Sequence, residues 1–167
     1  MEVNMFKIGE FILYKGTGVC KIEDMTEREF GQEVKILCIK TQLIKKKSTI
    51  YIPTDSKKLV GKMRNILSED EIHTILREMS VDDGQWIDDA HERKNVFREA
   101  INSGEPRLLI RTVRTLYSRK QELLLKGKKL NLSDKQFMQE AEQMVCDEFA
   151  MVLHKKPSEV RSYIENK

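Results

Sequence analysis

Residues that commonly carry out catalysis are few in this chain of 167 amino acids, and they do not converge. His73, His91 and His154 fall on different predicted helices, and none has a second histidine at the i, i+4 spacing of a helical metal pair. The cysteines are odd in number and widely separated, so they indicate neither a disulfide framework nor a zinc site. We therefore expect no enzymatic activity, no metal and no cofactor.

Basic residues are concentrated between residues 106 and 135, where nine lysines and arginines accompany only two acidic residues. At about 100° per residue, Arg107, Arg111 and Arg114 fall in one stripe of a predicted helix, with leucines on the opposite side. A helix that buries its leucines and presents its arginines suits a phosphate backbone. The alternative is an ordinary solvated face with few acidic partners, and charge alone does not separate the two.

Trp86 is the only tryptophan, and it lies in an acidic, polar stretch, VDDGQWIDDAHERKN. If a helix begins at Trp86, its ring shares a face with Phe97 and Ile101, which favours a position in the core. Arg93 and Lys94 flank that face, and an exposed aromatic ring beside basic residues is suited to wedge into or stack on nucleic acid. The pattern leaves both interpretations open.

The first sixty residues alternate with a period of two, in the segments FILY, GVCKIEDM, EVKILCIK and STIYIP. Four or five short strands in so little chain can bury their apolar face only by curling into a small barrel. The stretch KGTGVC contains two glycines, but Gly18 leads into a strand and not into a helix. It therefore predicts a tight turn and not a phosphate-binding loop.

From Ser68 onward the period becomes helical, and Ser68 with Glu71 has the spacing of a capping box. Capping residues and helix breakers set the remaining boundaries. They predict a helix from about Trp86 to Ser103 with Gly104 after it, one from Pro106 to a stop at Gly127, one capped by Ser133 with Gln136, and a last one opened by Pro157 that carries Val160 and Ile164.

The fold class that follows is α+β, with a small β barrel in residues 1–60 and a compact helical domain in residues 61–167. The helix break SVDDGQ is the best boundary by composition, and the change of period between Pro53 and Ser68 predicts that the barrel and the helical domain can be separated near residues 54 to 67. No apolar run approaches the ~20 residues of a membrane span, so we expect no membrane partner and a cytoplasmic protein.

The opening segment, MFKIGEFILYKGTGVCKIEDM, resembles the start of the CarD/CdnL/TRCF family. Phe6, Gly9, Glu10, Tyr14 and Gly18 fill the positions of that family's Phe-x-φ-Gly-Asp/Glu-x-φ-φ-Tyr pattern and of the glycine four residues after the tyrosine.

The similarity continues along the chain, roughly over residues 5 to 155. Thr49 to Pro53 resembles the family's last barrel strand, and Trp86, Arg93, Gly104 and Arg114 match later positions in order and spacing.

The resemblance implies a non-enzymatic bacterial transcription regulator. Its Tudor-like barrel is expected to dock on the β subunit of RNA polymerase, and its helical domain to contact promoter DNA without reading sequence, at the upstream edge of the melted bubble. The expected polymerase contacts are Arg28, Glu29, Phe30 and Tyr51. The expected DNA contacts are Trp86 as a wedge, with Arg93, Lys94, Arg107, Arg111 and Arg114. We expect the protein to be a monomer.

One departure from the family's pattern bears on the DNA contact. Asp88 and Asp89 follow the tryptophan where many members have basic residues, and carboxylates beside a minor-groove wedge would repel phosphates at close range. A second hypothesis is therefore a protein-interaction adaptor whose helical domain binds another protein and not DNA.

Overall fold

The computed structural model describes residues 6–29, 35–43, 47–79 and 84–165. The chain divides into two compact units, Met1–Ile66 and Leu67–Lys167. Each unit is described by itself.

The amino-terminal unit is a five-stranded antiparallel sheet. Its elements are β1 (Phe11–Tyr14), β2 (Gly18–Glu29), β3 (Lys35–Leu43), β4 (Thr49–Pro53), the short helix α1 (Lys57–Val60) and β5 (Met63–Asn65). The strand order is β4-β3-β2-β1-β5. A three-residue loop joins β1 to β2, and Gly16 at its centre has a φ of 75°, which side chains disfavour. The tight turn predicted for KGTGVC is confirmed.

One apolar cluster forms the core of this unit. It consists of Phe6, Ile12, Tyr14, Cys20, Ile22, Ile39, Ile52 and Met63. Ile12 and Tyr14 on β1, and Cys20 and Ile22 on β2, alternate and place their side chains on one side of the sheet. Leu13 and Val19, on the other side of the same strands, are also buried. The register of β2 against β3 shifts between Ile22 and Asp24, a bulge that bends β2. Beyond the bulge, Glu27 to Glu29 are exposed at the far end of the strand.

Over its described residues, 67–79 and 84–165, the carboxy-terminal unit consists of five helices. They are α2 (Glu69–Glu78), α3 (Ala90–Ser103), α4 (Pro106–Leu125), α5 (Leu132–Val152) and α6 (Pro157–Glu165). The α+β fold class, with a sheet followed by helices, is confirmed. Among these described helices none is long and apolar enough to cross a membrane.

The helix boundaries follow local capping chemistry. Ser68 and Glu71 form the predicted capping box, in which each side chain bonds the other residue's backbone amide. Gly104 ends α3 with a left-handed φ of 62°. Two predicted starts are wrong, because other residues provide the caps. Asp89 caps α3, so that helix begins after Trp86, and Asn131 caps α5 in place of Ser133.

The main core of this unit lies between α2, α4, α5 and α6. Phe149, Ile72, Leu109 and Ile110 are among its fully buried members. The helix α2 therefore packs within the same core as the helices that follow it, and the expectation that SVDDGQ is the best domain boundary is wrong. Glu148, 2% exposed, accepts a hydrogen bond of 3.0 Å from the Leu67 amide, which fixes the chain just before α2. A smaller cluster of Phe97, Leu116 and Met138 lies beside this core.

The pairing of β5 with β1 gives a prediction about the smallest stable fragment. A chain ending at Ile66 keeps β5 and the buried side chain of Met63, whereas a chain ending at Asp55 loses both. Because burying one methionine is worth about 1.5–3 kcal/mol, we expect the shorter fragment to unfold at a clearly lower urea concentration. Equal urea midpoints for fragments 1–66 and 1–55 would show that β5 contributes nothing to this unit.

Candidate nucleic-acid and polymerase interfaces

Trp86 lies in the segment 84–89, which leads into α3 without regular structure. Its ring is half-buried and packs against the cluster of Phe97, Leu116 and Met138. Gly84 lies directly on α4: a Cβ built there would be 2.2 Å from Thr115 Oγ1, and its φ is 65°. Only glycine allows this close approach at that φ. The tryptophan is thus neither a core residue nor a fully exposed one.

Two guanidinium groups lie against the Trp86 ring. The Cζ of Arg93 is 4.4 Å from the ring centroid, and that of Arg119 is 4.9 Å from it. Both distances are within the range of a cation–π interaction. Arg93 also donates from Nη1 to the carbonyl oxygens of Ile87 and Asp88, at 2.8 and 3.1 Å. It therefore fixes both the ring and the backbone that follows it.

Arg93 is held from its other side by a buried carboxylate. Its Nε and Nη2 atoms donate to the two oxygens of Asp134 on α5, at 3.3 and 3.2 Å. Arg93 is 5% exposed and Asp134 is 1% exposed. Asn131 Nδ2 donates a further hydrogen bond of 2.7 Å to Asp134. The structure therefore corrects the expectation that Arg93 presents a charge to phosphate: its guanidinium is an internal brace.

The acidic residues after Trp86 have a local role. The Asp89 carboxylate accepts the Glu92 amide at 2.7 Å and caps α3, and this hydrogen bond lowers the pKa of Asp89 below its ordinary value. A carboxylate at a helix start accepts hydrogen bonds from backbone amides that have no partner in the helix, and the positive end of the helix dipole stabilises its charge. Asp88 is exposed, while its carbonyl oxygen accepts from Arg93.

The arginine stripe predicted on α4 is only partly a surface. Arg107 and Arg111 are exposed, as predicted, but Arg114 is 4% exposed. Its Nε donates to the carbonyl oxygen of Ile164 at 3.1 Å, and its Nη1 donates to that of Met79. The ends of α6 and α2 therefore cover Arg114, and the expectation that it lies on a solvated stripe is wrong.

The remaining expected DNA contacts differ in their burial and in their ion pairs within the protein. Arg107 forms ion pairs with Glu78 and, at 3.9 Å, with Glu105, and its hydrogen bond to Glu78 raises the pKa of Arg107. Lys94 is half-buried on α3. Among the expected DNA contacts of the helical unit, Trp86 and Lys94 are half-buried and Arg107 and Arg111 are exposed, whereas Arg93 and Arg114 are buried.

In the amino-terminal unit, two of the expected polymerase contacts pack against each other. The Cζ of Arg28, on β2, is 3.7 Å from the centroid of the Tyr51 ring on β4. Glu29 is the exposed last residue of β2, and Phe30 lies outside the described residues. Among the described strands, β4 pairs with β3 alone, so it forms one edge of the sheet. A ring and a guanidinium thus stack next to a sheet edge.

Sequence reasoning singled out neither Asp134 nor Arg119 as a site residue. Asp134 lies 41 positions from Arg93, and Arg119 was one of many basic residues in its stretch. No local spacing connects either residue to Trp86, so the signal was absent from the sequence pattern.

The described residues show little that could support catalysis. No group of three or more histidines, cysteines and carboxylates among them is placed to hold a metal ion. Burial raises the pKa of Cys146 to about 12. Because the thiolate is the reactive form of cysteine, this thiol is a poor nucleophile at neutral pH.

Comparison with protein families assigns both units. Residues 6–67 match the CarD-like/TRCF RID domain, and residues 71–165 match the CarD C-terminal domain. The chain belongs to the CarD-like family. It is therefore an RNA polymerase-interacting transcription regulator, in a family of transcription factors that are not enzymes. No curated protein matches the chain.

The Arg93–Asp134 pair gives a prediction for this CarD-like protein. Asp134→Ala leaves the Arg93 guanidinium buried without its counter-charge, and we expect a loss of about 3–5 kcal/mol in the free energy of unfolding. Glu122→Ala is the matched control, because Glu122 pairs with Arg119 at 2.8 Å on the surface. That change should cost at most about 1 kcal/mol. Equal urea denaturation curves for the two variants would contradict the assignment of Arg93 as an internal brace.

Proposed function

We propose that this CarD-like protein docks on the β subunit of RNA polymerase through its amino-terminal unit and contacts promoter DNA through its helical unit. The DNA contact lies at the upstream edge of the melted bubble, reads no sequence, and changes the stability of the open complex. The observation that carries the proposal is the Trp86 ring, half-buried and bordered by two guanidinium groups. The protein acts as a cytoplasmic monomer without a cofactor.

On the DNA side, we assign different roles to the basic residues. Lys94, Arg107 and Arg111 supply contacts to phosphate oxygens, which give affinity but no sequence information. Trp86 wedges into the minor groove or stacks on a base at the edge of the bubble. Arg93 supports this contact from within by holding the ring.

Asp88 and Asp89 are compatible with this arrangement. Asp89 is committed to the start of α3, where the helix dipole offsets part of its charge. The cations Arg93 and Arg119 border the ring itself. The electrostatic potential at the indole therefore depends on these two cations as well as on the two carboxylates.

On the polymerase side, Arg28, Glu29, Phe30 and Tyr51 form the proposed contact. An edge strand can pair with a strand of a partner, while side chains next to the edge set specificity. Arg28 and Tyr51 suit that second role because aromatic rings and arginines dominate the binding energy of many interfaces. Their stacking also limits the freedom that each side chain would lose on binding.

The polymerase contact is tested by reversing one charge. Arg28→Glu should weaken capture of the isolated polymerase β subunit by at least tenfold, since it removes both a contact and the ring stacking on Tyr51. Lys58→Glu is the matched control: it makes the same charge change at an exposed position of α1. Capture can be measured by surface plasmon resonance. If both variants bind as the parent does, the Arg28 surface is not the docking site.

The DNA contact is tested by its dependence on salt. Each phosphate contact contributes about 0.9 to the slope of log affinity against log salt. Neutralising Lys94 and Arg111 together should therefore lower the slope by roughly two for any duplex sequence. Glu78→Gln should strengthen binding, because it releases Arg107 from its ion pair.

Fluorescence anisotropy of a labelled promoter fragment measures these slopes. An unchanged slope in the Lys94 and Arg111 double variant would mean that these cations form only a solvated face.

A protein-interaction adaptor is the second candidate, and one observation favours it. At the turn from α4 to α5, Leu125 is 90% exposed and Leu132 is 72% exposed. Exposed leucines are more typical of a protein interface than of a phosphate-binding surface. Binding by the helical unit that is independent of salt would favour this adaptor over the DNA-contacting regulator.

A further inference from the structure

Arg93 and Arg119 border Trp86 but are held in different ways. The Arg93 guanidinium is internal and fixed by Asp134 and two carbonyl groups. The side chain of Arg119 is 31% exposed, and its Nη1 atom pairs with Glu122 at 2.8 Å, three residues further along α4. Arg119 therefore lies on the solvent-facing side of the ring, and its surface ion pair with Glu122 sets its orientation.

The space next to the ring is open. A cavity of about 310 Å³ is lined by Trp86 and Arg119 together with Asp88, Lys129 and Leu130. Trp86 and Arg119 both border this open space, as do the cations Arg93 and Lys129.

A planar guanidinium that lies against an indole restricts the rotation of the ring, through cation–π attraction and stacking. An aromatic side chain that is already ordered loses less conformational freedom when it enters a binding site. A residue that orders Trp86 would therefore strengthen the DNA contact without itself touching DNA.

We propose that Arg119 is a positioning residue for Trp86, holding the indole in the orientation in which it meets DNA. This inference rests on the proposed function of Trp86 at the edge of the melted bubble. It assigns a role to a residue that neither the sequence pattern nor the family resemblance singled out.

The first test uses the free protein and needs no DNA. Trp86 is the only tryptophan, so its fluorescence reports on this ring alone. Arg119→Ala should raise the population of mobile, solvent-accessible indole by about two- to fivefold, the factor that corresponds to a surface cation–π contact. Acrylamide quenching and the decay of fluorescence anisotropy both measure it.

Lys120→Ala is the matched control for charge. Lys120 is the neighbouring cation on α4, and its Nζ atom lies 5.9 Å from the Tyr117 ring and not against the indole. We expect quenching of the Lys120→Ala variant to equal that of the parent. If Arg119→Ala also equals the parent, Arg119 does not hold the ring and the proposal is overturned.

The second test separates positioning from a direct phosphate contact by a double-mutant cycle with Trp86→Leu. If Arg119 acts through the ring, Arg119→Ala should shorten the lifetime of the open promoter complex by about two- to fivefold in the parent and leave it unchanged in the Trp86→Leu background. If the two effects multiply independently, Arg119 contacts DNA itself and the positioning role is overturned.

The two proposals fail in distinguishable ways. If the Trp86→Leu variant has the same open-complex lifetime as the parent, the proposed function of Trp86 is overturned. The quenching measurements on the free protein then decide by themselves whether Arg119 orders the ring. If Arg119→Ala lowers the melting temperature, Arg119→Lys keeps the charge and the alkyl chain but loses the planar group. In the same double-mutant cycle, Arg119→Lys should shorten the open-complex lifetime by a smaller factor in the parent and leave it unchanged in the Trp86→Leu background.

Discussion

The segment that carries Trp86 depends on one buried interaction, the ion pair between Arg93 of α3 and Asp134 of α5. Removing two charges from water costs several kcal/mol per ion, and the attraction between them offsets this cost only with good geometry and further hydrogen bonds. The geometry is present: Asp134 accepts from both Arg93 and Asn131, while Arg93 also donates to two carbonyl groups of the segment before α3. The pair thus joins two helices and a loop that has no regular structure of its own.

This brace explains the position of Trp86. A large aromatic ring in a polar loop would ordinarily move into the core or become fully mobile. Here one side of it packs on Phe97 and its neighbours, and two guanidinium groups border the ring. The free energy of the buried pair therefore maintains an accessible ring in a defined place. Arg93 resembles a nucleic-acid contact in the sequence, but in the structure it supports Trp86, the residue that we propose to contact DNA.

Much of the fold could be predicted because it is encoded locally. The capping box at Ser68, the left-handed Gly104 and the tight turn at Gly16 each depend on a few neighbouring residues, and each appears as predicted. The start of α3 was misplaced because the apolar periodicity includes Trp86, whereas the Asp89 carboxylate decides where the helix begins. The strand β5 has only three residues and shows no period in the sequence.

The candidate site could be predicted less well because its contacts connect distant parts of the chain. A helical wheel places Arg114 with Arg107 and Arg111, but it contains no information on what packs over that side. In the structure, the carbonyl groups of Met79 and Ile164 bond Arg114. The sequence likewise gives no sign that Arg93 meets Asp134, or that Arg119 meets Trp86, since these residues are more than thirty positions apart. The types of these residues indicated a nucleic-acid contact, but the sequence contains no information on which distant residues pack against them.

The central claim is that Trp86 acts on DNA and does not merely complete the core. The most direct measurement is the lifetime of the open promoter complex with Trp86→Ala, taken together with the protein's free energy of unfolding. Stacking on a base is worth about 1–3 kcal/mol, so the lifetime should fall by roughly five- to a hundredfold. Because the ring is only half-buried, the loss of stability should stay below the about 3–5 kcal/mol of a core tryptophan. An unchanged lifetime, or a shortened one explained entirely by unfolding of the variant, would contradict the account.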